Sequence, residues 1–280
     1  MKRIIGLLLA SIIVLSACSG GGSSKKVTVG VASNDTAAWE KVKELAKKDD
    51  IDLEIKHFSD YNVPNKALSD GDIDMNAFQH FAFLNEYKKA HKDAKIEAMS
   101  TTVLAPLGIY SKKVKDIKNV KDGAQVMIPN DVSNQARALK LLESAGLIKL
   151  KDNFDLSGTT KDIKDNPKHL KIKEVDAQQT ARALDDVDIS VINNGVATKA
   201  GLDAKKDPIY LESSTSEAVK PYINLIAVNS KDKDNKTYKK IVDLYHSKEA
   251  QEALKKDTKD GEKAVDLSRK EIKDIEDSLK

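Results

Sequence analysis

The 280-residue sequence has one cysteine, so no disulfide can form within the chain and its stability must come from packing. Beyond its first residues it has no apolar run long enough to cross a bilayer. Neither charge sign dominates. The formal net charge is +3 although 32% of residues are charged, a balance that excludes a nucleic-acid-binding reading and fits a solvated surface. Catalytic patterns are missing too. The histidines His57, His80, His91, His169 and His246 are scattered, and there is no His-Glu-x-x-His, no Gly-x-Ser-x-Gly and no glycine-rich phosphate loop. Asp70-Gly71-Asp72-Ile73-Asp74 lacks the sixth-position glycine and twelfth-position glutamate of a calcium loop and reads as a turn into a strand. No metal and no cofactor are expected. Only 5% of residues are aromatic, which makes each aromatic worth placing.

What is present begins at the amino terminus. Met1-Lys2-Arg3 is a short positive start, and Ile4 to Leu15 is an apolar stretch with the length of a signal-peptide core. Leu15-Ser16-Ala17-Cys18 follows and resembles the lipobox of bacterial lipoproteins. That resemblance implies cleavage before Cys18, a diacylglycerol on its sulfur and acylation, palmitate included, of the new terminus. Residues 1–17 are thus expected to be a signal peptide. Residues 18–26, with Ser19-Gly20-Gly21-Gly22-Ser23-Ser24-Lys25-Lys26, form a flexible tether spanning roughly 15 Å. Several acyl chains hold a protein on a membrane stably where one would not. Cleavage removes Lys2 and Arg3 and no acid, leaving 45 basic against 44 acidic residues.

The mature chain alternates strand and helix signals. Val27 to Ala32, Leu53 to Phe58 and Ile73 to Phe78 read as strands, and Val103 to Tyr110 as one apolar extended run. Ser33-Asn34-Asp35-Thr36 offers caps for a helix with Ala38, Val42, Leu45 and Ala46 on one face. A second helix is expected from about Gln79 to His91. In a second unit, Gln125 to Pro129, Leu170 to Val175 and Val187 to Asn193 read as strands. A helix there carries Ala138, Leu141, Leu142 and Ala145 in a stripe stopped by Gly146. Tyr222 to Asn229 is a further strand, and Lys236 to Lys280 reads as helical. The rhythm predicts an α/β protein with mainly parallel sheets and two lobes, residues 27–110 plus 226–280 and residues 111–225. A ligand cleft is expected between them.

Some polar residues sit in unexpected places. Asn224 interrupts an apolar strand and Asn193 ends another. A buried amide without a partner costs about 1–3 kcal/mol, so each is expected to bond to something, whether ligand or backbone. Arg137 reads as lying in the first turn of its helix, where a guanidinium could take a carboxylate bidentately or simply be solvated. Tyr61, Phe78, His80 and Phe83 are ring side chains that serve either core packing or a pocket wall.

These residues fall within motifs. Tyr61-Asn62-Val63-Pro64-Asn65-Lys66-Ala67-Leu68, Asn76-Ala77-Phe78-Gln79-His80, Pro129-Asn130-Asp131, Asn134 with Arg137-Ala138-Leu139, Gly146-Leu147-Ile148-Lys149-Leu150, Val191-Ile192-Asn193 and Pro221-Tyr222-Ile223-Asn224-Leu225 together resemble the methionine-binding lipoproteins of the MetQ/NlpA family. The resemblance covers essentially the whole mature chain in order. It implies a periplasmic-binding-protein-like fold and a non-enzymatic, lipid-anchored role on the extracytoplasmic face, with a monomeric chain serving an ABC permease and its ATPase. It makes Arg137 the clamp for a ligand carboxylate and Asn193 and Asn224 partners of the ligand's polar ends. Tyr61, Phe78, His80 and Phe83 become walls for a thioether side chain.

Three positions depart from the family pattern. Phe83 stands where a tyrosine is common, and Ala105 and Val196 stand where aromatics are common. The lost volume at the last two leaves free methionine and a small methionine-containing dipeptide, such as Gly-Met, equally open as ligand. Two other classes compete with this reading, a secreted lipoprotein hydrolase and a surface adhesion or folding lipoprotein.

Overall fold

The computed structural model describes residues 24–32, 36–215 and 217–280. The signal peptide, Cys18, most of the tether and the cap residues Ser33 to Asp35 lie outside the described residues. The first stretch runs β1 (Lys25–Val31), α1 (Thr36–Ala46), β2 (Ile51–His57), α2 (Pro64–Asp70), β3 (Met75–His80), α3 (Phe81–Ala90) and β4 (Ile96–Leu104). Trp39 joins Ala38, Val42 and Ala46 on the buried face of α1, while Leu45 is half-buried. After α2 the chain turns through Gly71 at φ 83°, a conformation glycine adopts without a Cβ penalty. Asp74 then accepts from the backbone N–H of Thr28 and from the Tyr238 hydroxyl, so the acidic run is a turn into a strand, as expected.

The chain next crosses to a second unit. This comprises β5 (Gly108–Tyr110), β6 (Gln125–Pro129), α4 (Val132–Ser144), the short hairpin β7 (Lys149–Leu150) and β8 (Ile163–Asp165), β9 (Lys171–Val175), β10 (Ile189–Ile192), α5 (Asn194–Lys199) and β11 (Tyr210–Leu211). It returns through β12 (Ile223–Asn229), α6 (Lys236–Tyr245), α7 (Lys248–Asp257), β13 (Lys263–Ala264) and α8 (Arg269–Ser278).

Two sheets result, ordered β13-β4-β12-β3-β1-β2 and β11-β5-β10-β6-β9. Each is mixed rather than mainly parallel. β12 enters from the second unit and inserts between β3 and β4, running antiparallel to both. In the second sheet β5 runs antiparallel to β10 and β11. The apolar run Val103 to Tyr110 is not one strand. Its start finishes β4, which already begins at Ile96, and its end forms β5 in the other sheet, because the chain leaves the first sheet at Ala105 and Pro106. The helical reading of the carboxyl-terminal segment is interrupted by β13, whose two residues pair with β4. The pairings put the crossings between sheets at residues 105–107 and 212–222, a few residues before the expected boundaries at 110 and 225.

Apolar clusters cover both sheets. On the first, Trp39, Val42, Met75, Ile226, Ile241 and Tyr245 are buried together, with the Trp39 and Tyr245 rings 5.0 Å apart. On the second, Leu107, Ile128, Leu139, Ile189 and Val191 are buried. Burying one such side chain fully contributes about 1.5–3 kcal/mol, so each lobe has its own core without a disulfide.

Candidate functional site

A cavity of about 670 Å3, counted out to its mouth, opens between the two sheets. The first sheet's side supplies Phe78 and His80 at the end of β3, Phe83 in the first turn of α3, and Asn224 from β12. The second supplies Asn134 and Arg137 from α4 and Asn193 at the end of β10. Tyr61 and Ala105 complete these stretches of wall. All seven residues singled out in the sequence therefore line one cavity. Three of them, Phe78, His80 and Asn193, sit at the carboxyl ends of strands, where open α/β sheets place their ligands.

The aromatic wall is interlocked. Phe83 meets Tyr61 and Phe78 edge-on, with centroids 6.2 and 5.5 Å away, and Tyr61 meets Phe78 at 6.0 Å. Such a wall is apolar and polarizable.

The polar wall is a directed chain. Asp131 caps α4, accepting from the backbone N–H of Asn134 at 3.0 Å. Its two carboxyl oxygens also accept from Asn134 Nδ2, at 2.9 and 3.2 Å. This fixes the amide of Asn134, whose Oδ1 must face away and accept. It accepts from Asn193 Nδ2 at 2.8 Å and from His80 Nε2 at 3.3 Å. His80 Nδ1 is already an acceptor for the Phe83 backbone N–H at 3.1 Å, so the ring proton belongs on Nε2. Burial, with Arg137 nearby, lowers the His80 pKa to about 3 and keeps the ring neutral. Burial likewise pushes the Asp131 carboxyl above its ordinary range, against the bonds it accepts from Asn134 and Ser133. The chain ends on Asn193 Oδ1, a buried acceptor with no partner among the described residues. Asn224 is half-buried and its side chain makes no hydrogen bond within the described residues. Of the two amides expected to bond to something, Asn193 thus finds a protein partner through Nδ2, while Asn224 has none among the described residues.

Arg137 is the sixth residue of α4, in its second turn rather than its first, so the helix dipole bears little on it. Its guanidinium is already engaged. Nε donates to Glu212 Oε1 at 2.9 Å, and Nη2 donates to Glu212 Oε2 and to the Ala105 carbonyl at 3.0 Å. The group lies 4.4 Å over the Tyr222 ring. Nη1 has no partner among the described residues, so one end of the fork remains for a ligand. Sequence reasoning missed Glu212 because it sits 75 residues away in a polar loop with no pattern. Asn134 was visible only within a motif.

Val196 does not line the cavity. It is 3% exposed and packs with Tyr110, Leu184, Ile192 and Ala197, so its small size is absorbed by an apolar cluster. Ala105 does line the cavity. Elsewhere Ser100 Oγ lies 3.1 Å from His246 Nε2, and Asp266 approaches that same nitrogen at 3.7 Å. In a hydrolytic triad the carboxylate holds Nδ1, so this arrangement cannot relay a proton from the serine.

Comparison with known proteins agrees with this geometry. The NlpA lipoprotein family matches residues 27–266. The D-methionine-binding lipoprotein MetQ of Escherichia coli is 40% identical over 256 residues, covering 90% of this chain and 93% of its own. Protein PG110 from Staphylococcus aureus superposes with a TM-score of 0.90 at 79% identity, over 91% of this chain and 100% of that one. A nutrient-binding protein from Burkholderia cenocepacia, bound to methionine, gives a TM-score of 0.81 at 44% identity, over 85% of this chain and 99% of its own.

Proposed function

The chain belongs to the NlpA lipoprotein family, and on that footing we propose that it is the substrate-binding lipoprotein of an ABC importer, capturing methionine or a small methionine-containing dipeptide and delivering it to the permease. One observation carries the ligand assignment. A cavity walled by Tyr61, Phe78 and Phe83 holds both a cationic donor, Nη1 of Arg137, and a buried acceptor, Asn193 Oδ1, neither of which has a hydrogen bond among the described residues. An amino acid with an apolar, polarizable side chain supplies what each lacks: a carboxylate for Arg137, an ammonium group for Asn193 and a thioether for the rings. The Asn224 amide is a further partner for the ligand's polar end.

The dipeptide stays in contention on a specific feature. Ala105 opens the wall beside the carbonyl that holds Arg137. The cavity between lobes fits capture by closure, with the two connections between the sheets as hinge segments. Cys18 serves as the lipid anchor at the membrane, the body acts as a monomer, and the permease with its ATPase receives the ligand. No helix among the described residues is long and apolar enough to cross a membrane. Mass spectrometry of what co-purifies with the body, released by gentle denaturation, tests the proposal. Recovery of methionine or glycyl-methionine is expected. A ligand of unrelated chemistry, with no response to either compound in calorimetry, would overturn it.

A further inference from the structure

A cavity with an arginine on its wall looks built for an anion, but the bonds around Arg137 say otherwise. Glu212 is absent from the cavity wall, and its carboxylate takes the whole Nε–Nη2 edge of that guanidinium. The pair is well removed from water, with 4% and 13% of the two side chains exposed. Glu212 is held in turn. Its Oε2 accepts from the Leu107 backbone N–H at 3.1 Å, and its own N–H donates to the Leu107 carbonyl at 2.9 Å. A swing of the carboxylate would therefore give up the Leu107 N–H bond as well as both bonds to Arg137.

Arg137 is the one cationic side chain on the described wall, since buried His80 is neutral. Glu212 cancels its charge, and the Glu262 carboxyl group also lines the cavity. Among the described residues the site carries no positive surplus. In a low-dielectric cleft, a second carboxylate beside Arg137 meets Glu212 as a like charge a few ångströms away. The arriving ligand must bring its own cation to restore balance, and Asn193 Oδ1 is an acceptor suited to it.

We infer that Glu212 sets the charge selectivity of the cavity: by neutralising Arg137 from off the wall, it makes the site take ligands that carry an ammonium group and turn away net anions. The inference rests on the ligand class proposed above. Glu212 acts through Arg137 and is a specificity-determining residue without touching the ligand.

The test uses three forms of whichever binds tighter, methionine or glycyl-methionine: the free zwitterion, the carboxamide, which is a cation, and the N-acetyl form, which is an anion. For the wild-type protein the order of affinity is zwitterion, then cation, then anion, with the anion at least 100-fold below the zwitterion. Glu212→Gln keeps a side-chain acceptor near Arg137 and Leu107 but removes the charge. It lowers the ratio of the anion's Kd to the cation's at least tenfold, whereas a merely structural role would shift all three ligands together. Glu212→Asp, which keeps the charge, leaves the ratio within threefold of wild type. An anion bound more tightly than the cation by the wild-type protein overturns the inference even if Glu212→Gln does not fold, and so does an unchanged ratio in a folded Glu212→Gln. Failure of both parent ligands to bind overturns the ligand assignment and this inference with it, while binding of a parent with the wrong order overturns this inference alone.

Discussion

The Nε2 of His80 stands 3.3 Å from Oδ1 of Asn134, and the two residues belong to different lobes. One hydrogen bond between uncharged groups thus spans the cleft beside the site. On the other side of the ring Nδ1 accepts from the Phe83 N–H, so a second proton on the imidazole breaks that bond while Nε2 can still donate to Asn134.

The pH dependence of stability follows from the burial of that ring, which disfavours its charged form. His80 has an ordinary pKa of 6.5 and a folded-state value of about 3. Between these values the unfolded chain binds the proton and the folded chain does not, so stability falls as pH drops from about 6.5 towards 3 and is complete above 6.5. The slope from this one residue is about 1.4 kcal/mol per pH unit. Urea denaturation at pH 7, 6, 5 and 4.5 should show the decline, and His80→Gln should flatten it. A wild-type midpoint unchanged between pH 7 and 5 would contradict a buried neutral His80.

Asp131→Asn isolates the polar chain. Asparagine caps helices about as well as aspartate, so thermal stability should change by less than about 1 kcal/mol. The amide of Asn134 would lose the carboxylate that orients it, and Asn193 would no longer be obliged to present its oxygen. Binding of methionine should weaken roughly tenfold, about 1.4 kcal/mol. Calorimetry paired with a melting curve separates the two effects, and equal affinities would break the link from cap to cavity.

How much of this was legible beforehand depended on distance along the chain. Strands such as Gln125–Pro129 and the stripe on α4 repeat over a few residues, so hydrophobic periodicity revealed them. Asn193 and Asn224 stood out because amides there end or interrupt an apolar strand, the ring residues because aromatics are few, and the site roles of all seven came from the family resemblance. Pairings made across the fold left no local mark. β12 inserts between β3 and β4 only because the chain returns from the second lobe, and nothing in Tyr222 to Asn229 tells parallel from antiparallel. Glu212 looks like any surface glutamate until Arg137 is seen beside it. Val196 shows the opposite error, a small residue read as open space that the apolar cluster around Ile192 fills.

Arg137→Ala should weaken ligand binding by at least about 2 kcal/mol, since a ligand carboxylate loses its charge-assisted bonds. Arg137→Lys should restore only part, because an ammonium cannot hold Glu212, the Ala105 carbonyl and a ligand in one plane. Removing the arginine also strands Glu212, so stability should drop by about 3 kcal/mol. The double variant Arg137→Ala with Glu212→Gln should recover much of that stability and none of the binding. Wild-type affinity in Arg137→Ala would place the arginine outside the site.

Cys18→Ser should abolish lipidation and move the protein from the membrane fraction to the soluble one, because no described helix offers another way into a bilayer. Metabolic labelling with a fatty acid reads this directly. Label retained in Cys18→Ser would rule out the lipobox cysteine as the anchor.

Ligand length turns on Ala105 alone. Ala105 lines the cavity, whereas Val196 is packed away among Tyr110, Leu184 and Ile192. If the space beside Ala105 admits an extra residue, glycyl-methionine should bind more tightly than methionine, because the shorter ligand would leave a polar group of the wall unmatched at about 1–3 kcal/mol. That range corresponds to roughly 5- to 150-fold in affinity. Ala105→Tyr should reverse the order by filling the space of the first residue. Val196→Tyr should leave the order alone and instead cost stability, since inserting a ring into a packed cluster costs about 1–3 kcal/mol. Titration of both ligands against the three proteins decides the matter. A wild-type preference for free methionine of about tenfold, or 1.4 kcal/mol, would mean that water or a shifted side chain fills the space beside Ala105.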